Sequence, residues 1–186
     1  MFYVAGRTPL HLRLETFDLF DGITWYAEPD KTISQEMKMV EREGRPWLQV
    51  RQPSNAFECF SGPESHAIKV VNLDTNRIPA PLHVTGVHID LVDQAEMFAW
   101  AQDSIVRLDR KTLPALVPIH LTSAVLERDK MAEEAPISFG LGRKSFRVLP
   151  TTESFQRIRD LAESWVDGIP RGWGQIMAVE RNLREQ

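Results

Sequence analysis

The chain has 186 residues, enough for one domain, or for one domain and a small annex, with a sizeable buried core. Apolar residues make up 42% of the chain and charged residues 26%, values that exclude wholesale disorder and a coiled coil. The formal net charge is −4, so no global field attracts the chain to nucleic acid or to an anionic membrane surface.

The cysteine content and the hydropathy pattern exclude further classes. The single cysteine, Cys59, cannot form an intrachain disulfide or supply the several thiolates of a zinc site. The longest uncharged run, Thr112–Leu126, contains two prolines and is shorter than the ~20 residues of a membrane-spanning helix. The first residues lack the pattern of a secretion signal. If the native protein is exported or anchored in a membrane, this chain is expected to be only a piece of it.

The first three quarters of the chain have the pattern of short strands. Leu10, Leu12 and Leu14 alternate with polar residues, which places the leucines on one face of a strand. Asp21-Gly22 predicts a turn between extended segments at 17–20 and 23–26. About nine such elements, separated by frequent turn signals, predict an antiparallel β-sandwich or a barrel-like domain over residues 1–149. Further strands are predicted at 35–42, 47–50, 66–73, 82–92, 97–101, 105–108 and 117–126.

The pattern changes at Pro150, where two helices are predicted over residues 150–186. Hydroxyl residues at 151 and 152, followed by Glu153, are typical of a helix start, and Gly168 and Pro170 mark its end. A second helix is predicted from Trp173 to Leu183. The apolar face of the first helix is formed by Phe155, Ile158, Leu161, Ala162 and Trp165, and that of the second by Ile176, Met177, Val179 and Leu183.

Several residues have the chemistry of catalytic or metal-binding groups. His83 and His88 are five positions apart on a predicted strand, so their side chains point to opposite faces and predict no metal site. Cys59 lies between aromatic residues and next to a carboxylate, surroundings that favour a buried structural thiol over a nucleophile. Asp18 and Asp21 could act as paired carboxylates on a sugar, but Asp21 is better explained as a turn residue.

Two further sets of residues have the chemistry of binding groups. Gly140 to Lys144 lacks the remaining glycine and the flanking elements of a phosphate loop, so the neighbouring basic residues predict only a solvated loop. Trp25, Trp47 and Trp100 could stack on a sugar ring or a peptide, although tryptophans are more often core anchors. No cofactor is predicted.

Three stretches together resemble a known family. They are the run Leu12-Arg13, Phe17-Asp18, Phe20-Asp21-Gly22 and Trp25; the segment 76–81; and the two C-terminal helices. They are similar to the extracytoplasmic segment of bacterial membrane-anchored transglutaminase-like proteins, which are of the cysteine-protease type. The family pattern has a glycine where this chain has Leu14 and a tyrosine where it has Phe20.

The resemblance implies a function for the segment and assigns it no catalytic residue. In that family the segment lies between membrane helices and a catalytic core whose cysteine, histidine and aspartate would lie beyond Gln186. The resemblance therefore implies a non-catalytic, extracytoplasmic module, a spacer or a binder of peptide or cell-wall material, whose partner is the rest of its own polypeptide. Asp18, Asp21, Gly22 and Trp25 form its structural fingerprint. Trp165, Trp173 and Met177 are expected to face the catalytic core.

The sequence leaves two alternative functions open. One is a stand-alone β-sandwich that binds carbohydrate or peptide through its tryptophans. The other is a hydrolase that pairs Cys59 with a histidine.

Overall fold

A computed structural model describes residues 1–6, 11–17, 19–26, 37–50, 60–100, 105–127, 129–130 and 149–185. The fold is mainly β, with antiparallel sheets and two C-terminal helices, which confirms the predicted fold class. The strands described here form no closed barrel. In chain order the strands are β1 (Phe2–Gly6), β2 (Leu19–Phe20), β3 (Trp25–Tyr26), β4 (Lys38–Arg42), β5 (Arg45–Gln49), β6 (Phe60–Val70), β7 (Val84–Ile89), β8 (Phe98–Trp100), β9 (Val106–Leu108) and β10 (Pro118–Leu126).

The chain packs as two units. The β unit comprises Met1–Thr16 and Pro29–Leu126, and the helical unit comprises Phe17–Glu28 and Glu127–Gln186. The helical unit thus includes the β2–β3 hairpin as well as the C-terminal helices. The predicted boundary between residues 149 and 150 falls inside this unit and stays a prediction.

The β unit is built on one six-stranded sheet in the order β1-β6-β10-β7-β5-β4. Strands β4 and β5 are joined by Glu43 and Gly44, which both have positive φ, 54° and 70°. Two such residues form the tight turn whose twist matches that of an antiparallel pair. The predicted hairpin at this place is therefore confirmed, although the turn is shorter than expected and β5 begins two residues earlier.

One face of the sheet carries the hydrophobic core. Successive side chains along β10 point to opposite faces, so Ile119 and Leu121 both lie on this face, and both are completely buried. The β8–β9 hairpin contributes a second layer through Phe98, Trp100 and Leu108. The buried cluster also includes Leu48, Val50, Ile68, Val70, Ile78, Ala80, Val84, Val87, Ile89, Val92, Val106 and Leu113.

The predicted strands differ most from the structure near the N-terminus. The alternating leucines near the N-terminus do not build a strand at residues 11–15, where only an isolated bridge joins Arg13 to Ala80. Leu12 and Leu14 are half-buried there. The alternating pattern therefore reflects the burial of side chains, although the backbone does not form the hydrogen bonds of a strand. Strand β1 was not predicted, because five residues without a polar alternation carry no period-two signal.

The two helices agree closely with the sequence. Helix α1 spans Glu153–Val166 and helix α2 spans Trp173–Glu185. Thr152 has the extended backbone of an N-cap residue, but its side chain makes no capping hydrogen bond. Gly168, with φ of 72°, takes up the left-handed conformation that commonly follows a helix. Over the residues that the structure describes, neither helix is long and apolar enough to cross a membrane.

Candidate functional site

The fingerprint hairpin of the helical unit is held by the Asp21 carboxylate. Its Oδ1 accepts hydrogen bonds from the amides of Ile23 at 2.8 Å and Thr24 at 2.7 Å, and its Oδ2 accepts one from the Tyr26 hydroxyl at 2.6 Å. The Thr24 amide is the largest of the effects that together lower the pKa of Asp21 from 3.8 to about 2. Asp21 is therefore a turn residue, as predicted. Its proposed partner Asp18 lies outside the described residues.

Aromatic stacking connects this hairpin to the start of helix α1. The Phe20 ring stacks on Trp25 with centroids 4.7 Å apart and meets Phe155 of the helix edge-to-face at 5.5 Å. Gly22 has φ of 107°, and a Cβ atom at this position would lie 3.3 Å from Pro150 Cγ. Phe20 thus links the hairpin to the helix start, a contact that spacing in the sequence does not reveal.

Helix α1 presents an apolar surface to solvent. None of its described residues is fully buried, and Ile158 and Leu161 are 56% and 46% exposed. Phe155, Ala162 and Trp165, which share the predicted apolar face, are half-buried. The helix therefore covers part of its apolar face and leaves the rest open.

Helix α2 also exposes apolar side chains, and a groove runs beside it. The groove has a volume of about 510 Å³ and is lined by Met177, which is 42% exposed, and by Ile169 and the fully buried Ala178. Its rim carries both signs of charge. Among the residues expected to face a catalytic core, Met177 is open to solvent, whereas Trp165 and Trp173 are half-buried. The groove-lining residues are Ile169, Gly174, Met177, Ala178, Glu180, Arg181, Arg184 and Glu185.

The β unit brings together two histidines that are far apart in sequence. His88 on β7 pairs with His120 on β10, and their rings stack with centroids 5.6 Å apart. His88 is only 2% exposed; its Nδ1 lies 2.6 Å from the Pro46 carbonyl and its Nε2 2.9 Å from Asp90 Oδ1. Burial, followed by the charge of His88, lowers the pKa of His120. The sequence comparison of His83 with His88 missed this pair, because the register between strands creates it.

The hydrogen bonds of His88 have a structural role in the sheet. Pro46 lacks an amide hydrogen and cannot extend the ladder between β5 and β7, and His88 binds its carbonyl instead. The hydrogen bond from His88 is the largest of the effects that lower the pKa of Asp90. Within the described part of the chain, no group of three or more histidine, cysteine, aspartate or glutamate side chains is placed to hold a metal ion.

A second polar pair lies on the core face of the sheet. His66 Nε2 and Ser123 Oγ are 3.0 Å apart, and both side chains are buried. The hydrogen bond satisfies two polar groups among apolar neighbours, which is the usual requirement for polar groups in a core. The pair joins β6 to β10 and has the geometry of a structural contact.

The remaining candidates from the sequence are divided between the core, the surface and the residues that are not described. Trp100 belongs to the hydrophobic core and Trp47 is half-buried beside Arg42 and His88. Trp25 is 53% exposed, with one ring face stacked on Phe20. Cys59 and the 140–147 segment, with its basic residues Arg143, Lys144 and Arg147, lie outside the described residues.

Comparisons with protein-family models, with curated proteins and with solved structures find no match to this chain.

Proposed function

We propose that this chain is a non-catalytic module whose helical unit docks a folded partner domain. The observation that carries the proposal is the open apolar surface of the two helices, formed by Ile158 and Leu161 of α1 and by Met177 of α2. An amphipathic helix gains most of its stability by burying its apolar face. A face left in water is therefore suited to bury that area against another domain.

The proposed partner is a transglutaminase-like core of the cysteine-protease type, in the same extracytoplasmic, membrane-anchored polypeptide. This assignment comes from the sequence resemblance, and two features of the helical unit support it. Asp21 and Trp25 of the fingerprint order the hairpin, and Phe20, on which Trp25 stacks, contacts Phe155 of α1. Ile158 and Leu161, which belong to the resemblance, lie on the open surface.

The β unit is proposed to act as a rigid spacer. Its sheet and its β8–β9 layer bury a continuous apolar cluster, so this unit has a core of its own. A body of this kind can hold a partner domain at a fixed distance from a membrane surface. With a net charge of −4, the chain offers no global attraction for nucleic acid, and we propose none as a partner.

Binding of a purified transglutaminase-like core to this chain, measured by calorimetry, tests the proposal. Leu161→Asp places a carboxylate on the open surface of α1 and is expected to weaken binding at least about tenfold. The matched control is Leu91→Asp, which changes another exposed leucine in the β unit and is expected to leave binding unchanged. Equal binding by the wild type and Leu161→Asp, or no binding at all, would contradict the proposal.

A second candidate function is binding of a sugar or peptide at Trp25. The observation that favours it is the exposed indole, held in place by its stack on Phe20. An indole with one free face can stack on a sugar ring. Addition of peptidoglycan fragments would then change the fluorescence of the wild type and leave that of Trp25→Phe unchanged. Identical responses from both proteins would exclude this site.

A further inference from the structure

The two outer strands of the six-stranded sheet differ in charge. Strand β4 carries Lys38, Glu41 and Arg42, and charged residues on an edge strand discourage pairing with another chain. Strand β1, Phe2–Gly6, contains no charged residue and no proline. Tyr3 is 64% exposed, and no other described strand pairs with the free side of β1. Within the described part of the chain, the β1 edge is therefore open, and the strand lacks the charges and proline that protect edges.

Hydrogen bonding shows which backbone groups of β1 face outward. The Met1 carbonyl accepts a hydrogen bond from the Val71 amide, so this pair bonds across the β1–β6 ladder. Bonded and non-bonded pairs alternate along an antiparallel ladder. Tyr3 and Ala5 therefore bond to β6, whereas Phe2 and Val4 direct their amides and carbonyls away from the sheet.

The opposite side of β6 agrees with this assignment. Pro118, which has no amide hydrogen, lies opposite Lys69 on β10, and the Val70 carbonyl accepts from Leu116 on that side. The backbone of Lys69 is thus directed to β1 and that of Val70 to β10. The alternation runs consistently across three strands.

The side chains of β1 suit pairing with an identical strand. In an antiparallel pair centred on Val4, Phe2 faces Gly6 of the second copy and Tyr3 faces Ala5. Each large side chain thus meets a small one across the two-fold axis, and the outward groups of Val4 face those of its counterpart. Such a self-complementary patch is what an isologous dimer requires.

We propose that two copies of this chain associate through β1, which pairs antiparallel with itself about Val4 and extends the sheet from one copy into the other. A five-residue strand buries little area, so the dimer is weak and depends on concentration. The interface involves β1 of the β unit, whereas docking of a partner domain involves the helical unit, so the two proposals can fail independently.

Sedimentation velocity from about 5 µM to about 500 µM tests the proposal on the full chain, with association expected to increase across this range. Val4→Pro removes the outward amide at the centre of the interface and leaves the bonds from β1 to β6 in place. The substitution removes two inter-chain hydrogen bonds, each worth about a fivefold change, so the dissociation constant should rise about 25-fold.

The matched control is Glu41→Pro on β4. The tight turn makes Arg42 and Arg45 a bonded pair, so the Glu41 amide also faces outward, but on the other edge. This variant is expected to dimerise like the wild type. Tyr3→Lys supplies a second disruption without a proline, and circular dichroism establishes that each variant is folded. A wild type that stays monomeric throughout, or a folded Val4→Pro that dimerises as tightly as the wild type, would overturn the proposal.

Discussion

The β unit and the helical unit have equally clear apolar patterns in the sequence, yet their apolar side chains are buried to different degrees. In the β unit, residues from β5, β6, β7 and β10 meet the β8–β9 hairpin, and Leu48, Ile119 and Leu121 are completely buried. In the helical unit, α1 has no fully buried residue and α2 has one, Ala178. An apolar stripe therefore indicates that a face needs a partner, and the described residues cover the helical faces only in part.

The same substitution in the two units gives the largest expected contrast. Ile119→Ala removes methyl groups from a completely buried site and is expected to lower the free energy of unfolding by about 2–5 kcal/mol. Ile158→Ala, at an exposed site on α1, is expected to change it by no more than about 0.5 kcal/mol. Denaturant unfolding, followed by circular dichroism, measures both. A large loss at Ile158 would show that its side chain is buried in solution.

Loss of the His88 hydrogen bonds tests whether they hold the β4–β5 hairpin to the rest of the sheet. His88→Gln is expected to lower stability by about 1–3 kcal/mol, because the buried ring bonds both Pro46 and Asp90. His120→Gln is the control, since the half-buried His120 mainly stacks on His88, and a loss of about 1 kcal/mol or less is expected. Hydrogen exchange should show faster opening of β5 in His88→Gln. Equal effects of the two variants would contradict this role.

Acid should act on the helical unit through Asp21, with the smallest effect of the three. Its pKa is lowered to about 2 in the folded chain, against an ordinary value of 3.8. The carboxylate therefore stabilises the hairpin above about pH 4, and this contribution is lost as the pH falls towards 2. The ring resonances of Trp25 and Tyr26 should shift over this range in the wild type.

Asp21→Asn is the matched variant for that titration, because it preserves the shape of the side chain and removes the ionisable group. Its hairpin resonances should not follow the acid titration. A wild-type hairpin that keeps its resonances unchanged down to pH 2 would show that the carboxylate does not hold the turn.

The sequence predicted those elements whose signal is local. The β4–β5 hairpin and both helices follow from periodicity together with the residues at their ends, such as Gly44 and Gly168. Strand β1 was missed, because its place in the sheet depends on β6, more than fifty residues away. The apparent strand around Leu12 shows the converse, since alternation alone did not supply a neighbouring strand.

The site residues were predictable to a smaller extent. The role of Asp21 as a turn residue follows from Asp21-Gly22 alone. The stack from Trp25 through Phe20 to Phe155 joins residues at opposite ends of the chain, and the His88–His120 pair exists only through the register of β7 with β10. Such contacts require the tertiary structure, because nothing in the spacing of these residues encodes them.

Hydrogen exchange of the chain, with and without a saturating transglutaminase-like core, tests the docking surface most directly. The proposal predicts that amides of α1 and α2 exchange more slowly when the core is present, while those of β6 and β10 keep their rates. Unchanged exchange in both helices, or protection confined to the β unit, would contradict the assignment of the open apolar faces of α1 and α2 as the docking surface.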